Sequence, residues 1–210
     1  MTFETWIAFV IASTVLLMIP GPTILLVLSY ALSKGRSVAL ASAAGVALGD
    51  LVAMSASLAG LGALVLASAA AFTVLKWVGA IYLIYMGVKL LMSASDAGLA
   101  LPDGDASVTP RGVFTHAAAV TALNPKSIAF FVAFVPQFLR PEAALLPQVT
   151  LLISTFVGLA TLNALAYALL ADRLRRVISR PTAIRGMTRA GGFTLIVMGL
   201  FTATLRRTTA

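Results

Sequence analysis

Cysteine is absent from the 210 residues, and histidine occurs only once. Without a thiol, the chain can form no disulfide, carry out no thiol redox chemistry and bind no metal through thiolate. Charged residues make up only 10% of the sequence, whereas 60% of it is hydrophobic. This composition excludes a soluble globular domain, and the apolar stretches of about 20 residues indicate an integral helical membrane protein.

The apolar stretches predict an all-α, polytopic fold with six transmembrane helices, at about 5–32, 39–65, 71–92, 112–138, 145–170 and 190–205. The sixth is short unless it takes residues from the preceding loop. The first four residues lack the basic region of a cleavable signal peptide, so helix 1 is expected to remain in place. We expect one transmembrane domain over 1–210, in which the polar loop 93–111 joins a first half, 1–92, to a second, 112–210.

The two halves resemble each other. The segment 79–87 of helix 3 aligns with 191–199 of helix 6 with five of nine residues identical, and Asp50 of helix 2 aligns with Asn163 of helix 5. Three helices per half place the halves in opposite orientations. The pattern therefore predicts the inverted repeat found in many secondary transporters.

Glycines mark the expected helix contacts. In helix 2, Gly45 and Gly49 lie one turn apart, and in helix 3 Gly79 and Gly87 bound the repeated segment. Small residues let two backbones approach closely in a membrane. These four positions are therefore predicted to pack against neighbouring helices.

Helix 1 is interrupted by Pro20, Gly21 and Pro22. Each proline lacks an N–H donor and crowds a carbonyl of the preceding turn. The helix is therefore predicted to stop near Ile19 and to restart with Pro22 in its first turn. The N–H groups from Thr23 onwards would then present partial positive charge at mid-membrane depth. A simple proline kink without a ligand is the alternative, and a second broken helix favours a site.

That second break is predicted in helix 4, at Asn124, Pro125 and Lys126. Asparagine is a preferred N-cap, and proline is tolerated at the first helical position. The pattern predicts a helix restart with free N–H groups on Lys126 and Ser127. The lysine adds a full positive charge to this anion-binding end.

Asp50 is the only carboxylate inside a predicted span, where its charge costs roughly 2.5–3.5 kcal/mol and needs a partner or a cavity. Counted along their helices, Pro22, Asp50, Asn124 and Asn163 lie within about one turn in depth. We expect them to form one substrate- or ion-binding site near the midplane. Three alternatives stay open: a structural Asp50 paired with a lysine, a Lys126 that pairs only with Asp50, and an Asn163 that only bridges helices.

Basic residues indicate the orientation. Ten of the fifteen lysines and arginines lie in the loops after helices 1, 3 and 5, among them Lys34, Arg36 and the arginines from Arg173 to Arg189, and four lie on the opposite side. Basic loops stay in the cytoplasm. The count therefore predicts cytoplasmic loops after helices 1, 3 and 5, with both termini outside.

Four motifs in order resemble the LysE/RhtB family of amino-acid exporters: Pro-Gly-Pro at 20–22, Gly-x-x-x-Gly-Asp at 45–50, Gly-Ala-x-Tyr-Leu-x-x-x-Gly at 79–87 and Asn-Pro-Lys at 124–126. The resemblance covers nearly the whole chain. It implies a bacterial inner-membrane carrier that expels amino acids in exchange for protons. The family spans basic and neutral amino acids as well as derivatives, so the resemblance does not fix the substrate. Neutral or small amino acids or derivatives are the class that we expect. The implied partners are the amino acid, protons and membrane lipid, without nucleic acid or cofactor. A monomer and a homo-oligomer both stay open.

Two other classes compete with this reading. An exporter of a metal or another inorganic ion could share the architecture, but it would need more carboxylate or histidine ligands at depth. An intramembrane aspartyl protease needs two carboxylates in one site. Only Asp50 lies within a span, so no enzyme is expected.

Overall fold

The computed structural model describes residues 1–19, 21–34, 38–67, 69–93, 109–140, 143–171 and 181–204. In these ranges the chain is helical and contains no strand, in agreement with the predicted all-α class. The described ranges contain the α-helices α1 Phe3–Met18, α2 Pro22–Lys34, α3 Ala39–Ala67, α4 Ala69–Ser93, α5 Pro110–Ala122, α6 Pro125–Ala133, α7 Leu145–Leu169 and α8 Pro181–Thr204, and the 3-10 helix Val135–Phe138.

Several of these helices are suited to cross a membrane. By length and composition, α3, α4 and α7 each contain a candidate span. The pairs α1–α2 and α5–α6 qualify as bent units, with bends of 56° and 45°, which brings the described part of the chain to as many as five spans. The protein is therefore a multi-pass helical membrane protein. The arrangement with six spans stays a prediction.

The last helix begins at Pro181 rather than near residue 190, so it takes residues from the preceding loop, the alternative that the sequence left open. Hydropathy marks only the apolar part of a helix, whereas the backbone continues through Arg185 and Arg189. Proline at the first position is compatible with this start. The topology prediction also rests on Arg36 and on the arginines from Arg173 to Arg180, which lie outside the described residues, as does most of the loop 93–111.

Helices α4 and α8 pack against each other through glycines. A Cβ atom on Gly87 would lie 2.5 Å from the carbonyl oxygen of Gly192, and one on Gly199 would lie 2.7 Å from that of Ala80. The two contacts are reciprocal, because Gly87 aligns with Gly199 and Ala80 aligns with Gly192 in the sequence. They also run in opposite directions along the two helices, so α4 and α8 are antiparallel.

Helix α3 packs closely along α5. A Cβ atom on Gly49 would lie 2.7 Å from the carbonyl oxygen of Ala118, and one on Gly45 would overlap that of Phe114. Helix α3 also contacts α7 on another side. These contacts fix the position of Asp50, which follows Gly49 directly. Gly79 of α4 meets α6, where a Cβ atom would lie 2.5 Å from the Cβ of Ala133.

The apolar core contains a cluster of six buried phenylalanines from α1, α6, the 3-10 helix and α7: Phe9, Phe130, Phe131, Phe134, Phe138 and Phe156. Neighbouring rings contact one another, with Phe131 and Phe156 meeting edge to face at a centroid distance of 4.8 Å. The cluster joins α1, which precedes the first break, to α6, which follows the second break.

Candidate functional site

Both predicted helix breaks are present. Helix α1 ends at Met18 and α2 begins at Pro22, and Ile19 between them has an extended backbone. In the second break, Asn124 caps α6 and Pro125 occupies a first-turn position. These are the stops and restarts that the proline patterns predict. Pro20 lies outside the described residues.

One detail of the second break differs from the prediction. The backbone N–H of Lys126 is not free, because it donates to the Asn124 side-chain oxygen Oδ1 at 3.0 Å. The side-chain oxygen of an asparagine at the N-cap accepts a hydrogen bond from a backbone N–H of the first turn, so that N–H is no longer available to a ligand. Ser127, one residue further on, belongs to the lining of the cavity described below.

Buried side chains connect the two breaks. The Asn124 amide Nδ2 donates to the Thr23 hydroxyl at 3.1 Å, and the Thr121 hydroxyl donates to the same oxygen at 3.4 Å. Thr23 lies in the first turn of α2, whereas Thr121 and Asn124 lie on either side of the second break. The start of α2 is therefore held directly against the start of α6.

Lys126 reaches across to the end of α1. Its ammonium Nζ donates to the carbonyl oxygens of Leu16, at 3.2 Å, and Ile19, at 3.0 Å. Gly21 makes room for this side chain, since a Cβ atom there would lie 3.3 Å from Nζ and 3.5 Å from Cε. The last carbonyls of a helix lack partners within it and carry partial negative charge. A buried cation therefore caps the first broken helix.

Two side chains of α7 complete this cap. The Asn163 amide Nδ2 donates to the carbonyl of Leu17 at 3.1 Å, and the Tyr167 hydroxyl donates to that of Met18 at 3.2 Å. Four consecutive carbonyls, from Leu16 to Ile19, thus each accept a hydrogen bond from a side chain. The sequence reading missed Tyr167. Tyr167 lies one turn after Asn163, so both side chains are on the same face of α7. This spacing could have identified Tyr167 from the sequence.

A small cavity of about 20 Å³ lies between the breaks. It brings together most of the predicted site residues, and its lining includes Gly21, Thr23, Asp50, Asn124, Lys126 and Asn163. Pro22 and Pro125 are not part of the lining, and Pro125 is exposed. A volume of about 10–15 Å³ holds one water molecule, so this cavity suits water rather than an amino acid.

Asp50 and Lys126 are the two charged groups of the cavity. Asp50 is only 3% exposed, and no described residue donates a hydrogen bond to its carboxylate or forms an ion pair with it. The Lys126 ammonium lines the same cavity, and its hydrogen bonds go to carbonyls at the end of α1. The alternative in which Lys126 pairs only with Asp50 is therefore not the arrangement found. Asp50 is left as a buried acid facing the cavity.

The described residues contain no group of three or more histidine, aspartate or glutamate side chains placed to hold a metal ion. The cavity combines one carboxylate, one ammonium, two hydroxyls and two amides. Such a set can match both charges of a small zwitterion or exchange a proton at the carboxylate.

A family model described as LysE type translocator matches residues 14–206. The chain is 33% identical over 207 residues to the homoserine/homoserine lactone efflux protein of Salmonella typhimurium, an alignment that covers 98% of this chain and 99% of that protein. It is 30% identical over 206 residues to an uncharacterized membrane protein of Vibrio cholerae, an alignment that covers 98% of this chain and 100% of that protein. It is also 31% identical over 141 residues to the leucine efflux protein of Klebsiella pneumoniae, an alignment that covers 66% of this chain and 65% of that protein. No solved structure matches the chain.

Proposed function

The chain belongs to the LysE family of translocators, and from this premise we propose that it is a secondary transporter that exports amino acids across the bacterial inner membrane in exchange for protons. Two similar proteins carry names that refer to efflux of homoserine or its lactone and of leucine. These names favour neutral or small amino acids and their derivatives as the substrate class. Membership of a translocator family supports transport rather than catalysis.

The proposal includes six spans arranged as two inverted repeats, 1–92 and 112–210, joined by the loop 93–111. Its support is the reciprocal, antiparallel packing of α4 and α8, which occupy matching places in the two halves. The first helix of each half is also broken at proline. The side of the protein that carries Lys34, Arg36 and the arginines from Arg173 to Arg189 then faces the cytoplasm.

The observation that carries the proposal is Asp50, a buried carboxylate without a hydrogen-bond partner among the described residues, in a cavity that also holds Lys126. A zwitterion that enters this depth must have both of its charges matched, because hydrocarbon offers no compensation. Lys126 and the start of α6 after Pro125 supply positive charge for the substrate carboxylate. Asp50 supplies negative charge for the substrate ammonium.

Asp50 also provides the coupling step. A carboxylate cannot bind the substrate ammonium and carry a proton at the same time, so the two ligands exclude each other. Release of the amino acid on one side then allows a proton to bind, and the return of the carrier delivers that proton to the cytoplasm. The cavity must widen to admit an amino acid. The segments that must move apart are those that meet at the breaks, namely the end of α1 and the starts of α2 and α6.

Efflux measurements test this proposal. Cells loaded with peptides that release individual amino acids should lose at least one of them faster when they contain the protein. Asp50→Asn keeps the shape of the side chain but cannot change its charge, so this variant should insert normally and fail to export against a gradient. Glu4→Gln is the matched control, because Glu4 is exposed in the first turn of α1. Unchanged efflux across the whole panel would refute amino-acid export, and wild-type efflux by Asp50→Asn would remove Asp50 from the mechanism.

A further inference from the structure

The end of α1 has the chemistry of a cation site. A helix C-terminus carries about half a negative charge on its unpaired carbonyls. In transporters with broken helices, such carbonyl ends coordinate a coupling Na⁺ or proton. Here the carbonyl oxygens of Leu16 and Ile19 converge on one point, and the Asp50 carboxylate lines the same cavity. Hard oxygen ligands of this kind suit small monovalent cations.

That point is occupied by the Lys126 ammonium. Its Nζ lies 3.2 Å from the Leu16 oxygen and 3.0 Å from the Ile19 oxygen, and Gly21 leaves the space through which the side chain reaches them. We propose that Lys126 is a tethered substitute for a coupling metal cation. The carbonyl end of α1 is a monovalent-cation site that the protein fills with its own side chain, so its working cycle takes up no Na⁺ or K⁺.

Charge balance supports this assignment. Lys126 and an ionised Asp50 together leave the cavity neutral, and a zwitterionic substrate keeps it neutral. With Asp50 ionised and the substrate bound, a metal cation in addition to Lys126 would give this cavity a net positive charge, which low-dielectric surroundings penalise. The inference does not depend on which zwitterionic substrate is exported, because it concerns the occupant of the carbonyl end.

Chemical rescue of a purified variant tests the inference. Lys126→Ala removes Cγ, Cδ, Cε and Nζ, and n-propylammonium supplies the same four heavy atoms. This ion should raise the midpoint of thermal unfolding of Lys126→Ala in a saturable manner, whereas 1-propanol of equal size should not, because it brings no charge. Smaller cations such as methylammonium and Na⁺ should give a weaker, saturable rise. Tetramethylammonium, which lacks N–H donors, should give none.

Two comparisons control the experiment. Tyr167→Phe removes another cap of the same carbonyl end without removing a cation, so n-propylammonium should leave its unfolding midpoint unchanged. The wild-type protein should show the same midpoint in sodium, potassium and N-methylglucamine salts at constant ionic strength. If Lys126→Ala does not yield folded protein, Lys126→Met lacks only the position of Nζ and its charge, and it should still gain stability from ammonium, which supplies that one atom.

A saturable stabilisation of the wild-type protein by Na⁺ or K⁺ would overturn the inference, because the site would then take a free cation despite Lys126. Equal rescue of Lys126→Ala by 1-propanol and n-propylammonium would also overturn it, since the lysine would then act only by filling space. Neither result would bear on amino-acid export, which the efflux measurements test separately.

Discussion

Gly49→Ala should force α3 and α5 apart, because the new methyl group would point into the backbone of α5. The added Cβ would lie 2.7 Å from the Ala118 carbonyl oxygen, about 0.7 Å short of the 3.4 Å at which ordinary van der Waals contact begins. It would also lie 2.6 Å from the Thr121 Cβ and 3.0 Å from the Ala122 backbone nitrogen. Backbone atoms cannot turn aside as a flexible side chain can, so the helices themselves must shift.

The size of the effect follows from two opposing terms. Overpacking of this kind costs typically about 1–3 kcal/mol. Replacement of glycine by alanine within a helix stabilises the helix by up to about 1 kcal/mol. Gly60→Ala on the same helix is the matched control, because a Cβ atom there would meet nothing within 4 Å. The helix-propensity term cancels between the two variants, so Gly49→Ala should be less stable than Gly60→Ala by about 1–3 kcal/mol.

The assay is equilibrium unfolding of both purified variants in one detergent, together with efflux from cells. Because Asp50 follows Gly49, the shift of α3 should also lower transport by Gly49→Ala, whereas Gly60→Ala should transport normally. Surface substitutions usually change stability by no more than about 0.5 kcal/mol. If the two variants agreed within that margin, the close approach of α3 and α5 at Gly49 would be refuted.

Three further predictions concern the site and the orientation. Lys126→Gln should weaken binding of free amino acids to the purified protein far more than binding of their carboxyl amides, and equal losses would place the carboxylate site elsewhere. Tyr167→Phe should cost about 1 kcal/mol of unfolding free energy through the lost hydrogen bond to the Met18 carbonyl, and an unchanged stability would show that this bond contributes nothing. A single cysteine replacing Arg185 should react with an impermeant reagent only after the membrane is opened, whereas one replacing Thr209 should react in intact cells; the reverse pattern would invert the proposed topology.

The helix breaks could be predicted because their causes are local. Proline lacks a donor wherever it stands, so the stop after Met18 and the restarts at Pro22 and Pro125 follow from a few neighbouring residues. The cap by Asn124 follows in the same way. Asp50 and residues of both breaks line one cavity. Their similar depth could be predicted by counting residues along each helix, because the bilayer has a nearly constant thickness.

What the sequence did not reveal depends on contacts between distant segments. The start of α8 at Pro181 lies in a polar stretch where hydropathy carries no information about the backbone. The bonds from Lys126 to α1 join residues 107 and 110 positions apart, and no spacing rule connects them. The carbonyls at the end of α1 lack partners within the helix, and the donor that reaches two of them comes from a distant segment.

The carbonyls at the end of α1 accept hydrogen bonds from side chains of α6 and α7, which are synthesised later, and this order has a consequence for biosynthesis. Met18 and Tyr167 are 149 positions apart, so at about 5–20 residues per second roughly 7–30 s of synthesis separate the acceptor from its donor. An unsatisfied carbonyl in hydrocarbon costs several kcal/mol, so the end of α1 must remain hydrated or shielded during that interval. Helix α1 is synthesised before α6 and α7, and its C-terminal end should therefore reach its final packing only after both of them have entered the membrane.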